Sequence, residues 1–230
     1  MSVKLAHPLL FVLVVSALVG FRTDDTYTLK QKFKKDEVAT YQATFNTSAE
    51  DSELVFDMKN RYKVLSVEED GAYEMEETLL EGMFKFNGEE QAMEKGEPKI
   101  RKYDKEGNEV KKDDEEEDDD DPMTNIIEQV FDYEPTKAVK IGETWDLETD
   151  YTTIHATLEG KEKVGDVECL KITIKATLSK KDTAGDVTGT FYIRTSDFSP
   201  EKMEAKIDNP KLDAETTMKK IEMKMVRIAD

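Results

Sequence analysis

The chain has 230 residues, of which 37% are hydrophobic and 37% are charged, and its formal net charge at pH 7 is −19. The charged fraction is well above the average of about 25% for globular proteins, which predicts a core only one layer deep. The negative charge argues against nucleic acid and anionic membranes as partners, because binding to either requires Lys and Arg to neutralise the partner's charge.

The first residues of the chain predict an export signal. Lys4 gives a positive start, and residues 9–21 form an apolar run of 13 residues interrupted only by Ser16 and Gly20. A spanning helix needs about 20 apolar residues, so this run fits a cleaved signal better than a membrane anchor. We expect a secreted or periplasmic protein with a signal peptide at 1–21, a single β domain at 22–230 and no transmembrane segment after signal removal.

The first part of the exported chain alternates between apolar and polar residues, which is the two-residue period of β-strands. Residues 27–33 and 39–45 alternate on either side of a Lys-Lys-Asp turn, which predicts a hairpin. Residues 54–64 predict a third strand. Residues 73–86 predict a fourth, and the reversal of its apolar phase indicates a bulge near residues 78–80.

The middle of the chain is strongly polar. Residues 100–110 predict an edge hairpin around a Glu-Gly-Asn turn. An acidic linker follows at 111–121, whose last nine residues are all Asp or Glu. Calcium could bind these carboxylates, but the spaced ligands and the turn glycine of a calcium loop are missing, so a solvated linker is the favoured interpretation.

One short amphipathic helix is predicted directly after the acidic linker. Asp121 suits the N-cap and Pro122 suits the first helical position. Apolar residues then recur with helical spacing, which predicts a helix over 122–132 that packs on a sheet made by the rest of the chain.

The second β segment has a cleaner alternation than the first. Apolar residues alternate with charged residues or threonines over residues 153–158, 170–178, 187–193, 203–207 and 221–225. Together with the first segment this gives about ten strands joined mostly by short turns, so neighbouring strands should be antiparallel.

The alternation predicts a mainly β protein whose sheet is apolar on one face and charged on the other. Two packed sheets would satisfy this pattern, and so would a single strongly curved antiparallel sheet, a half-barrel. The single inserted helix favours the half-barrel, because a curved sheet leaves an open mouth that a short helix can cover.

Sites for catalysis are scarce in this sequence. His155 is the only histidine outside the signal, and it falls on the polar face of a strand. Cys169 is the only cysteine, so an intramolecular disulfide is impossible, and a buried apolar role is expected for it. No phosphate loop, nucleophile elbow or dinucleotide fingerprint is present. We therefore predict no catalytic residues, no metal site, no cofactor and no enzymatic activity.

The segment at residues 139–145, Val-Lys-Ile-Gly-Glu-Thr-Trp, leads into the second β segment. With the signal, the ten strands and the inserted helix, it resembles exported bacterial half-barrel proteins of the lipoprotein-carrier type, and most of all uncharacterised secreted relatives of that shape. The resemblance implies a concave apolar face that can hold a lipid or an acyl chain.

The predicted function is that of an exported, non-catalytic binding protein that holds an apolar or lipid-like ligand on the concave face of the half-barrel. The alternative is a structural protein of the cell envelope whose acidic surface meets a cationic protein and which holds no ligand. A monomer is expected. The cavity candidates are the large apolar residues of strand faces and helix: Phe56, Met58, Tyr62, Phe84, Met123, Ile127, Phe131, Phe191, Met223 and Met225.

Overall fold

The computed structural model describes residues 25–50, 52–105, 107, 109–110, 134–135, 137–149, 152–179, 183–211 and 217–228. The predicted signal at 1–21, the acidic linker at 111–121 and the helix at 122–132 lie outside these residues, and they stay predictions.

The described part of the chain is mainly β. Its strands are β1 Thr26–Tyr27, β2 Val38–Ser48, β3 Glu53–Val67, β4 Tyr73–Phe86, β5 Glu89–Ala92, β6 Lys99–Tyr103, β7 Val139–Lys140, β8 Thr144–Glu148, β9 Thr153–Val164, β10 Val167–Leu178, β11 Ala184–Arg194, β12 Pro200–Lys211 and β13 Lys220–Ile228. Within the described ranges there is no helix with the length and apolar character needed to cross a membrane.

Eleven of these strands form one antiparallel sheet in the order β5-β4-β3-β2-β13-β12-β11-β10-β9-β8, with β6 pairing beside β5 along the long strand β4. The first and second β segments join where β13 pairs with β2. Strands β5 and β8 do not pair with each other, so among the described strands the sheet is not closed. Strands β1 and β7 form a separate two-stranded sheet.

Each long strand presents one apolar and one polar face, as the alternation predicts. We call the inner face the one that carries, in successive strands, Ile172, Phe191, Met203, Met225, Ala43 and Met58. The outer face carries Thr173, Thr190, Glu204, Lys224 and Thr44 in the neighbouring row. Both rows cross the junction between β13 and β2 without a break.

Burial divides the sheet into two parts. In the C-terminal wing, strands β8–β13, the inner face is filled, and Ile154, Ile172, Phe191 and Ile207 are fully buried. In the N-terminal wing, strands β2–β6, the inner face is mostly only half-buried. The core cluster therefore lies almost entirely in the C-terminal wing.

The predicted hairpin of residues 27–33 with residues 39–45 is wrong. Only Thr26–Tyr27 is a strand, and it pairs with Val139–Lys140. Both edges of β2 are occupied by β3 and β13, so no edge is left for the N-terminal segment. Residues 28–35, which we call the strap, instead place Leu29 in the core cluster with 1% exposure.

The strap is held at the end of the sheet where β11 turns into β12. The Lys32 amide donates to the Asp197 carbonyl at 2.8 Å, and just beyond the strap the Asp36 amide donates to the Val64 carbonyl of β3 at 2.9 Å. Its alternation therefore reflects packing against the sheet and not membership of it.

Two finer expectations are confirmed. The register between β3 and β4 shifts between Lys59 and Asn60, which leaves Leu80 as the extra residue of a bulge. The edge hairpin near residues 100–110 also forms, since β6 ends at Tyr103, which bridges Glu109.

Candidate ligand cleft

A cleft of about 260 Å³ lies between the strap and the inner face of the N-terminal wing. Its wall comes from the strap and from strands β2, β3, β4, β6, β12 and β13, which meet at one end of the sheet. The lining residues are Gln31, Phe33, Glu37, Ala39, Tyr41, Tyr62, Val64, Tyr73, Met75, Tyr103, Pro200, Met225 and Arg227.

Aromatic residues supply five of the thirteen lining side chains. Phe33 of the strap lies 4.1 Å from the Tyr73 ring, and Tyr73 stacks on Tyr103 with centroids 4.7 Å apart. On the opposite side Tyr41 and Tyr62 meet edge to face at 5.8 Å. Such rings present a rigid apolar surface, with hydroxyl groups at its rim that can be hydrogen-bonded.

The phenols of the cleft are held neutral. Tyr41 donates to the Pro200 carbonyl at 3.2 Å, and Tyr62 donates to the Glu77 carboxylate at 3.1 Å. Burial raises the pKa of Tyr41 to about 12, and burial followed by the charge of Glu77 raises the pKa of Tyr62. Burial also raises the pKa of Tyr73. These groups can therefore donate hydrogen bonds, but they are not bases at neutral pH.

A charged network closes one end of the cleft. The Arg227 Nη1 donates to the Ser199 hydroxyl at 2.9 Å, and that hydroxyl donates to the Asp197 carboxylate at 2.6 Å. Arg194 forms ion pairs with Asp197 at 3.8 Å and with Glu201 at 3.4 Å. Burial alone would raise the pKa of Asp197, but the hydrogen bonds from Ser199 outweigh it and the pKa is lowered.

A larger concavity of about 640 Å³ lies on the outer face. It is lined mainly by polar side chains of five neighbouring strands. Its charges compensate one another, since Lys224 lies 3.7 Å from Glu204, and Lys206 lies 2.7 Å from Asp208 beside the groove. The aromatic cleft is the better candidate, because ligand sites combine an apolar wall with a few convergent polar groups.

The predicted cavity residues fall into four groups. Tyr62 and Met225 line the cleft. Phe56, Met58 and Phe84 lie on the same inner face beyond it and are half-buried, and the Phe56 and Phe84 rings lie 5.4 Å apart.

The remaining predicted residues do not line the cleft. Phe191 and Met223 belong to the filled core of the C-terminal wing, with exposures of 0% and 4%. Met123, Ile127 and Phe131 lie outside the described residues.

Sequence reasoning did not select Phe33, Tyr73, Tyr103 or Arg227 for this site. Arg227 follows Met225 by two residues in the same alternation, so its position on the inner face could have been deduced. The meeting of Phe33, Tyr73 and Tyr103 could not, because it depends on the path of the strap and on the pairing of β4 with β6.

The two residues weighed for catalysis lie away from this cleft. The His155 Nδ1 lies 2.7 Å from the Asp146 carboxylate on the exposed outer face. Cys169 is fully buried, and burial raises the pKa of its thiol to about 11. Across the described ranges, no group of three or more His, Cys, Asp or Glu side chains is placed to hold a metal ion.

Comparison of the chain with protein-family models found no match, and comparison with curated proteins found none either.

Proposed function

We propose that the chain is an exported, non-catalytic binding protein that holds an apolar or lipid-like ligand on the inner face of the N-terminal wing. One end of the ligand would lie in the aromatic cleft. The observation that carries this proposal is the contrast in burial: the inner face is filled in one wing and half-open in the other.

The dimensions of the cleft support a slender ligand. A volume of about 260 Å³ is below the usual range of about 300 to 1,000 Å³ for drug-sized ligands, so a ring or a short stretch of chain fits. Beyond the cleft, Phe45, Phe56 and Phe84 continue as a row of rings with centroids 6.1 Å and 5.4 Å apart. A longer apolar tail would extend along this row.

The same proposal includes a strongly curved sheet, a half-barrel covered by the helix predicted at 122–132. Burial in the C-terminal wing supports the curvature. Phe191 and Ile172 lie on the inner face of a single layer of strands, yet they have no solvent exposure. Leu29 of the strap and Val139 of β7 cover part of this face, and the other members of the core cluster belong to the inner face itself, which a curved layer brings together.

Binding of the neutral dye N-phenylnaphthylamine to the full chain tests the proposal, because its fluorescence rises in apolar surroundings. We expect saturable binding that weakens about tenfold or more in Ala39→Phe, because the new ring fills the cleft that Ala39 lines. Ala92→Phe is the matched control, since it adds the same ring on the exposed edge strand β5. Equal binding by both variants would contradict the proposal.

The alternative is a structural protein of the cell envelope with an acidic surface. The filled core of the C-terminal wing favours it, since the inner face of that wing is occupied by its own side chains. It predicts that the dye does not bind the wild-type chain and that native mass spectrometry shows the chain alone.

A further inference from the structure

Arg227 occupies a singular position in the cleft. Among the residues that line it, Arg227 is the only basic one and Glu37 the only acidic one. The guanidinium is half-buried and donates to the Ser199 hydroxyl at 2.9 Å and to the Val38 carbonyl at 3.4 Å. A guanidinium has five N–H donors, so described partners use only part of its capacity.

Asp197 and Glu201, two carboxylates that act on the Tyr41 phenol together with Arg227, are engaged elsewhere. Asp197 accepts from the Ser199 amide at 2.9 Å and from its hydroxyl, and it pairs with Arg194. Glu201 pairs with Arg194 as well. No salt bridge among the described residues includes Arg227. Within the described part of the chain, its charge therefore reaches the cleft with no carboxylate at ion-pair distance.

The hydroxyl groups beside Arg227 complete a polar end. Tyr41 lies close enough for the Arg227 charge to be the strongest charged influence on its phenol, which acts against the effect of burial. Glu37, the one acidic residue of the lining, accepts a hydrogen bond from the Lys34 amide at 3.1 Å. The cleft thus has an apolar aromatic body and one cationic corner.

We propose that Arg227 recognises the carboxylate headgroup of a single-chain amphiphile whose tail lies against the aromatic wall. The proposal rests on the binding function argued above and names its ligand class. A planar guanidinium matches a planar carboxylate through two parallel hydrogen bonds, and such charge-assisted bonds are about twice as strong as neutral ones.

Displacement of N-phenylnaphthylamine by three amphiphiles with the same tail tests this inference: decanoate, decanol and decyltrimethylammonium. For the wild-type chain we expect decanoate to bind about tenfold more tightly than decanol, with the ammonium weakest. Glu37→Gln should strengthen decanoate binding further, because it removes the one negative charge of the lining.

Variants of Arg227 assign this preference to its charge. In Arg227→Met the affinities for decanoate and decanol should become equal while the dye still binds. Arg227→Lys should keep part of the preference for decanoate, because the lysine ammonium supplies the charge but not the two parallel hydrogen bonds. Lys63→Met is the control, because Lys63 pairs opposite Val38 at the same end of the sheet but on the outer face.

The outcomes separate the two proposals. If the dye binds but decanoate binds no more tightly than decanol, or if decyltrimethylammonium binds more tightly than decanoate, the carboxylate inference is wrong and the binding function stands. If the dye does not bind the wild-type chain, the binding function itself fails. Should Arg227→Met not fold, the wild-type comparison of the three headgroups still decides the inference.

Discussion

The two wings of the sheet share one outer face but differ on the inner one. In the C-terminal wing every second residue is buried over residues 154–158 of β9 and over residues 170–178 of β10, and Ile154, Leu158 and Ile174 have exposures of 0% or 1%. In the N-terminal wing only Tyr41 and Val64 are buried hydrophobic residues of β2–β6. Alternation therefore decides which face a side chain occupies, whereas burial depends on what packs over that face.

The largest expected effect tests this difference directly with two phenylalanines of the same face. Phe191→Ala in the C-terminal wing should reduce the free energy of unfolding by about 3 to 5 kcal/mol, because it leaves a cavity in a filled core. Phe84→Ala in the N-terminal wing should cost about 1 to 2 kcal/mol, because its side chain is only partly buried.

Urea denaturation of both variants measures the two losses. Thr188→Ala, which replaces a polar residue of the outer face, controls for the effect that any substitution within a strand has on the free energy of unfolding. Equal losses at Phe191 and Phe84 would show that the inner face is packed alike in both wings, and the cleft would lose its structural basis.

The next effect is the response to alkali. Three tyrosines with a raised pKa lie in the N-terminal wing, whereas the C-terminal wing contains the buried Cys169 thiol, whose pKa is raised to about 11. Burial raises the pKa of Tyr41 from 10.0 to about 12, and burial also raises the pKa of Tyr62 and Tyr73. The folded chain thus holds these protons more tightly than the unfolded chain does. The stability they contribute is complete below about pH 10 and is lost as the pH rises through the folded-state pKa.

The loss attributable to Tyr41 should be roughly 2 to 3 kcal/mol at high pH. In the variant Cys169→Ala, which removes the buried thiol of β10, hydrogen exchange between pH 10 and 12 should show β2–β4 opening before β9–β11. The double variant Tyr41→Phe with Tyr62→Phe should make the opening of β2–β4 less dependent on pH. Tyr192→Phe on the outer face should leave that pH dependence unchanged. Opening of both wings together would contradict the comparison.

The alternation of residues 170–178 and 187–193 is enough to predict which side chains of β10 and β11 are buried. Those strands have partners on both sides and a filled inner face. The same alternation in residues 27–33 predicts a strand that does not form. Alternation reports that one side of a segment is buried, but it does not say whether a sheet edge or a sheet face buries it.

The cleft shows the same division between local and long-range information. The shared face of Tyr41, Tyr62 and Met225 follows from alternation, and the bulge at Leu80 follows from the reversed phase of β4. The contact of Phe33 with Tyr73 joins positions forty residues apart in the chain, so local patterns carry no trace of it. The pairing of β13 with β2, which brings Arg227 to the cleft, is also long-range.

Two glycines of the inner face sharpen the comparison at a smaller scale. A Cβ at Gly189 in the C-terminal wing would lie 2.7 Å from Ile174 and 3.2 Å from the Glu204 carbonyl. A Cβ at Gly82 in the N-terminal wing would meet the Met93 side chain at 2.9 Å, and Met93 follows the short edge strand β5 and can move.

Gly189→Ala should therefore cost about 2 kcal/mol, because a packed core has to shift, and Gly82→Ala should cost less than about 1 kcal/mol. Thermal unfolding measures both changes. The reverse order would mean that the edge of the N-terminal wing is the more rigidly packed region.

The smallest effect concerns the outer face, where the two wings should behave alike. Lys102 and Glu74 form an ion pair at 2.7 Å in the N-terminal wing, and Lys206 and Asp208 form one at the same distance in the C-terminal wing. The four side chains are 35% to 59% exposed, so each pair should contribute less than about 1 kcal/mol in a double-mutant cycle and weaken with added salt. Similar coupling energies in both wings would show that the wings differ on the inner face alone. A markedly stronger pair in one wing would show that the outer face of that wing is also shielded from water. The two wings would then differ in burial on both faces and not on the inner face alone.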